Sequence, residues 1–165
     1  MELIFDHARP EDVDALTELF IAYSRELEQY EMAYTLQEAT LPASILSRIR
    51  SKMALAAVAR DGEKVAGFLF ATISRLSGYT FEDSPLFGYI SDTYVLPQYR
   101  GSGIARELAR MALQWLRDNE VGYTELKVLH SNENAHRFWA SLGFAPTTCV
   151  YGMKNNENKE NHHES

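Results

Sequence analysis

Cysteine is nearly missing from this chain of 165 residues: Cys149 is the only one. That excludes an intramolecular disulfide and any all-cysteine metal site. Bases are in deficit, with 16 Lys and Arg against 23 Asp and Glu and a formal net charge of −7. This balance argues against a nucleic-acid binder, whose affinity comes from many Lys/Arg–phosphate contacts, and it suits a cationic partner. No apolar run approaches the ~20 residues of a membrane span. The start, with Glu2, Asp6, Glu11 and Asp12, lacks the basic and apolar regions of a secretory signal. The reading is a reduced, cytoplasmic protein with no membrane and no nucleic-acid partner. What is present is 45% hydrophobic and 24% charged residues, the balance of a globular chain. The length suits one domain with its own core and is short for two.

The charge is unevenly placed. Residues 1–50 carry ten acids against four bases, whereas residues 95–145 carry six bases against five acids. Such runs are ordinary on solvated helix faces. Taken as surfaces, they offer one side to a cation and another to an anion.

Hydrophobic periodicity orders the elements. Leu3 to Ala8 reads as a strand. Pro10 opens a helix with Glu11 and Asp12 in its first turn, where the dipole favours them, and with Val13, Leu16, Leu19, Phe20 and Tyr23 at helical spacing. A second helix starts near Pro42, with Ile45, Leu46 and Ile49 on one face. Met53 to Ala59 and Val65 to Ile73 flank Asp61-Gly62, a hairpin signal. A loop from Arg75 to Pro85 leads to a strand over Leu86–Val95, ended by Pro97. A helix follows from Gly101 to Asn119, with Ile104, Leu108, Met111, Ala112 and Trp115 inward, then a strand over Tyr123–Leu129. Ser131 or Asn132 caps another helix, with Ala135, Phe138, Trp139 and Leu142 as its apolar stripe and Gly143 closing it. A last strand, holding Cys149 as a buried residue, spans Phe144–Met153. Residues 154–165 form a polar tail in which His162 and His163 read as solvated. The order is βααβββαβαβ. It describes a single α/β (α+β) domain over residues 1–153, a mixed sheet with helices on both faces.

The stretch that points to chemistry runs from Val95 to Arg106. A strand ends, a turn carries Gly101 and Gly103, and a long helix begins. Helix N-termini expose unsatisfied N–H groups and a positive dipole end, and glycine lets an anion approach them. Arg100 and Arg106 add charge. A nucleotide P-loop would need Gly-Lys-Ser/Thr, which is absent. A dinucleotide fingerprint would need Gly or Ala where Arg106 stands.

Gln98-x-x-Gly101-x-Gly103, preceded by Val95-x-Pro97, resembles the acetyl-CoA pyrophosphate loop of the GCN5-related N-acetyltransferase (GNAT) family. Asn132-x-x-Ala135-x-x-Phe138-Trp139-x-x-x-Gly143-Phe144 is similar to that family's second block. The element order agrees from the first strand to about Met153. The resemblance implies an acetyl-CoA-dependent N-acetyltransferase that acts on a primary amine of a small molecule or peptide, with acetyl-CoA as cosubstrate and no metal. It implies that strands 86–95 and 123–129 part to admit the pantetheine arm. Backbone at Thr93, Tyr94 and Val95 would then bond the arm and polarise the thioester carbonyl. Arg100, Gly101, Ser102, Gly103, Ile104, Ala105 and Arg106 would hold the pyrophosphate, Asn132 would bond the arm from the other side, and Phe138 would pack on the cofactor. Homodimers are frequent among proteins that resemble this one.

The resemblance fails at the usual acid and base positions, which here hold Ser91, Lys127 and Trp139. The substitutes are Asp92, Glu125 and Tyr94, with Tyr89 beside them. Asp92 leads as base, although strand alternation sets it on the face opposite Ser91. Proton transfer through ordered water is a further route. So many departures also admit a degenerate module that binds acetyl-CoA or CoA without turnover. Tyr23, Glu26, Glu28, Tyr30, Glu31 and Tyr34, with Tyr79, Phe81, Glu82, Asp83 and Phe87, combine aromatics and carboxylates that suit an ammonium group.

Overall fold

A computed structural model describes residues 2–155. The chain divides into two compact units, Met1–Ser131 and Asn132–Ser165. The division falls inside the 1–153 stretch.

In the first unit, five strands lie in sequence order. They are β1 (Leu3–His7), β2 (Ala54–Asp61), β3 (Lys64–Arg75), β4 (Leu86–Val95) and β5 (Tyr123–Leu126). The first three junctions are antiparallel and the last, β4 to β5, is parallel. The Asp-Gly hairpin forms as expected: Asp61 pairs with Lys64 across a turn in which Gly62 has φ +60°. β2 and β3 are buried along nearly their whole length, which requires cover on both faces.

Helices α1 (Val13–Leu27) and α2 (Leu41–Arg50) supply one cover. Leu16, Leu19, Leu41 and Ile45 close a core with Ala56, Val58, Phe68 and Phe70. Phe20 stacks on Phe68 and Phe70. Helix α3 (Ile104–Asp118) covers the other face through Ile104, Leu108, Ala109, Ala112 and Leu116, all buried. Met111 and Trp115, expected inward, are only partly buried, because the seam follows Ala109 and Leu116 instead. The approach of α3 is close. A Cβ on Gly88 would stand 2.7 Å from Leu116 Cδ2.

The first unit departs from the expected boundaries in two places. β5 stops at Leu126 and not Leu129, where its pairing with β4 ends. α3 begins at Ile104 and not Gly101, since Gly101 and Gly103 take left-handed φ values of +80° and +85° that a helix cannot hold.

In the second unit, α4 spans Glu133–Ala140. Asn132 caps it, accepting from Ala135 N at 3.1 Å, and Gly143 ends its turn with φ +94°. The expected strand over Phe144–Met153 is not formed. After Phe144 N bonds Trp139 O, residues 145–155 are exposed and irregular. Strand-forming residues make a strand only when an edge pairs with them, and Pro146 and Gly152 weaken the segment further. Cys149 is accordingly exposed, not buried. His162 and His163 lie outside the described residues.

Candidate active site

The site grows from the end of β4. The parallel ladder joins Phe87 to Tyr123 and ends with Ile90 against Leu126. β4 runs on to Val95, still bonded to β3 on its other side. β5 ends at its last pair, and the outward backbone of residues 91–95 on β4 lies beyond the β5 ladder. Thr93 Oγ1 is buried there with no hydrogen-bond partner among the described residues.

At the end of β4 a short 3-10 turn, Pro97–Tyr99, leads into the two glycines. Ser102 Oγ donates to Tyr99 O at 2.5 Å and closes the turn. The first bond of α3 runs from Glu107 N to Gly103 O at 3.1 Å. Backbone N–H groups ahead of it have no intrahelical acceptor. Both positive-φ glycines leave open space where a Cβ would stand. Such a cradle, at the positive end of a 15-residue helix, fits a pyrophosphate.

Arg100 turns its donors to other partners. Its Nε donates to Val95 O at 3.0 Å, and its Nη2 donates to both oxygens of Glu26 at 2.9 and 2.7 Å. Tyr94, expected among the acids, donates its phenolic hydrogen to Glu26 Oε1 at 2.8 Å. Burial, and then the Glu26 carboxylate, push this phenol up to about 12.

On the α1/α2 face of the sheet lie the carboxylates. A bulge in β4 sets Phe70 opposite Asp92 and Ala71 opposite Ile90, leaving Ser91 as the extra residue. Strict alternation is therefore broken, and the expectation that Ser91 and Asp92 face apart does not hold. One nitrogen, Arg48 Nη1 from the last turn of α2, donates to Ser91 Oγ at 2.9 Å and to Asp92 Oδ2 at 3.2 Å. Its guanidinium also lies 5.1 Å from the centre of the Phe70 ring. Glu125 stands opposite Tyr89 in the β4–β5 ladder. Burial, and then Asp92, Tyr34 and Glu125, push the Tyr89 hydroxyl up. Burial and Asp92 do the same for Tyr23. Asp92 thus acts on both phenols, and Glu125 acts on Tyr89, its neighbour across the ladder. A cleft of about 290 Å³ runs between the end of α1 and residues 31–38, lined by Ser24, Arg25, Glu28, Glu31, Tyr34 and Glu38.

Sequence reasoning missed Arg48 and the tie between Glu26 and Arg100. These partners lie 43 or more residues apart in the chain, and no local pattern marks them. In the second unit the Asn132 side chain serves as the α4 cap, and the Phe138 ring lies edge-on to Trp139 at 4.9 Å. Among the described residues no cluster of His, Cys, Asp and Glu could hold a metal, and no helix is long and apolar enough to cross a membrane.

Known proteins agree with this geometry. The family model described as "Acetyltransferase (GNAT) family" matches residues 13–144. An uncharacterised N-acetyltransferase of Archaeoglobus fulgidus is 31% identical over 134 residues, 81% of this chain and 87% of that protein. Two solved structures share the fold. An aminoglycoside antibiotic 6′-N-acetyltransferase from Acinetobacter haemolyticus superposes with TM-score 0.73 at 22% identity, covering 92% of this chain and 97% of its own. AAC(6′)-Iy, solved with the bisubstrate analogue CoA-S-monomethyl-acetylneamine, gives TM-score 0.72 at 18% identity over 93% and 98%. The end of the β4–β5 ladder, the glycine cradle and the family match together make this chain a member of the GNAT family, an acetyl-CoA-dependent acetyltransferase.

Proposed function

We propose that the enzyme transfers acetyl directly to a primary amine of a small, positively charged molecule or of a peptide. The observation that carries this reading is the set of acids on this side of the molecule: Asp92 on β4, Glu125 opposite Tyr89 on β5, and Glu28, Glu31 and Glu38 with Tyr34 lining the cleft at the end of α1. Carboxylates and phenol rings attract an ammonium by charge and by cation–π contact. The acid-lined cleft extends the same chemistry along α1. Two neighbours of this fold whose names specify aminoglycoside acetylation or an acetylneamine analogue are in keeping with such an acceptor.

Acetyl-CoA supplies the activated thioester. Backbone N–H groups of residues 101–105 and the Arg106 charge would bind its pyrophosphate. Amides along 93–95 would meet the arm, and one near Val95 would stabilise the carbonyl oxygen as it gains charge. An alkyl ammonium must lose a proton before its nitrogen can attack. Asp92 and Glu125 are our candidates for that base. The nitrogen then bonds the acetyl carbon, the C–S bond breaks, and the thiolate takes up a proton. Tyr94 is poorly suited to supply that proton, because its phenol is raised to about 12 and spent on Glu26. A cytoplasmic setting and a homodimer complete the reading.

The test is CoA thiol release across a panel of polyamines, aminoglycosides, amino acids and peptide N-termini at fixed acetyl-CoA. Turnover with amines, and none with hydroxyl or acidic acceptors, is the expected outcome. Turnover only with hydroxyl acceptors would overturn the amine assignment.

A further inference from the structure

We infer that Glu26 is a positioning residue for the transfer reaction, and that Arg100 serves with it as a strut rather than as a pyrophosphate ligand; the catalytic part of this rests on the acetyl-transfer reading above. Arg100 divides its donors between two elements. Nε goes to Val95 O, and Nη2 goes to both Glu26 oxygens. The plane of the guanidinium carbon lies 5.5 Å from the centre of the Tyr94 ring, so the group is held by three partners at once. Glu26 accepts from Tyr94 as well, at 2.8 Å. One carboxylate near the end of α1 therefore ties Tyr94 directly, and Val95 through Arg100, to the start of the glycine turn.

Those two residues are where a thioester carbonyl would be polarised. The Val95 carbonyl accepts from Arg100 on one side, and Leu96 N donates to Ala66 O at 3.0 Å on the other. Both groups belong to the single Val95–Leu96 peptide, which is thus held at both edges next to the Val95 amide that would face the carbonyl. α1 is also a wall of the acid-lined cleft, through Ile21, Ser24 and Arg25. The strut thus sets the acceptor side against the thioester side. Misplacement of reacting groups by a fraction of an ångström to an ångström costs up to about a hundredfold in rate.

The strut is not a large source of stability. Glu26 and Arg100 keep 39% and 48% of their side-chain surface exposed, and exposed pairs contribute little. Position and stability can therefore be separated by experiment.

Glu26→Gln and Arg100→Gln, with the double variant, would be compared with the parent in three measurements: kcat with a saturating amine, acetyl-CoA KM, and acetyl-CoA dissociation constant by calorimetry. The strut predicts a kcat loss of about tenfold in each single variant, with acetyl-CoA KM and affinity within about twofold of the parent. The double variant should be no worse than either single, because both remove the same unit. A merely structural tie would lower the melting temperature and leave kcat per folded molecule unchanged, which would contradict the inference. A pyrophosphate ligand would weaken acetyl-CoA about tenfold in Arg100→Gln and not in Glu26→Gln, and that also would contradict it. If the parent turned over no amine, the acetyl-transfer reading would fail by itself. The calorimetry would still decide whether Arg100 binds the cosubstrate.

Discussion

The two ends of α1 are tied down by the same chemical pair in different surroundings. At its start, Asp12 accepts from both Arg60 nitrogens, Nη1 at 2.8 Å and Nη2 at 2.6 Å, and from Arg9 N at 2.6 Å. The side chains of this pair are 8% and 14% exposed. At its end, Glu26 takes Arg100 in a fork that is 39% and 48% exposed. A buried ion pair is weak evidence of net stabilisation, but it is costly to break, because the surviving charge stays buried. An exposed one is easily replaced by water. The same helix therefore has one end anchored to β2, where failure means unfolding, and one end braced to the glycine turn, where failure means misalignment.

The comparison is sharpened most by Asp12→Ala, which strands Arg60. It should cost about 3 kcal/mol in a urea melt, and a cost under about 1 kcal/mol would erase the contrast between the ends. The pH dependence has a definite sign. Burial pushes the Asp12 carboxyl up, but the Arg60 guanidinium and the Arg9 N–H outweigh it and hold the carboxyl below its ordinary value. A depressed folded value stabilises the protein above the unfolded pKa of about 3.9 and ceases to do so as pH falls through the folded one. Acid melts of the parent below about pH 4 should therefore steepen relative to Asp12→Asn, which lacks the group.

Next in size, Asp92→Asn should lower kcat about a hundredfold if this carboxylate removes the amine proton, and should leave the urea midpoint nearly unchanged. Loss of stability in proportion to loss of rate would place Asp92 with Asp12 as an anchor. Gly103→Ala should weaken acetyl-CoA by roughly 1 kcal/mol, because alanine is disfavoured at φ +85°. Calorimetry at low and high salt would check it. The smallest effect is on the stability of Glu26→Gln, under about 1 kcal/mol and vanishing in high salt. A large, salt-resistant loss would make the two ends of the helix alike.

The same contrast explains what could be read in the chain itself. The glycine turn and α3 were legible because their cause is local: φ values only glycine holds, followed by apolar residues at helical spacing. β4 and the hairpin were legible for the same reason. The bulge at Ser91 was not, since an extra residue is defined only by the partner strand. Nor were Arg48 and the Glu26–Arg100 fork, whose members meet through the fold. Phe144–Met153 holds strand-forming residues such as Thr147, Thr148, Val150 and Tyr151, but pairing is a property of two segments and cannot be seen in one.

We propose acetyl transfer from acetyl-CoA to an amine at the end of β4, where its pairing with β5 stops. The most direct test is CoA release with a thiol reagent, comparing the parent with Asp92→Asn and Glu125→Gln across amine acceptors. The account predicts amine-dependent turnover in the parent that falls in at least one variant while acetyl-CoA affinity holds. Intact acetyl-CoA binding with no amine-dependent release above hydrolysis would contradict it.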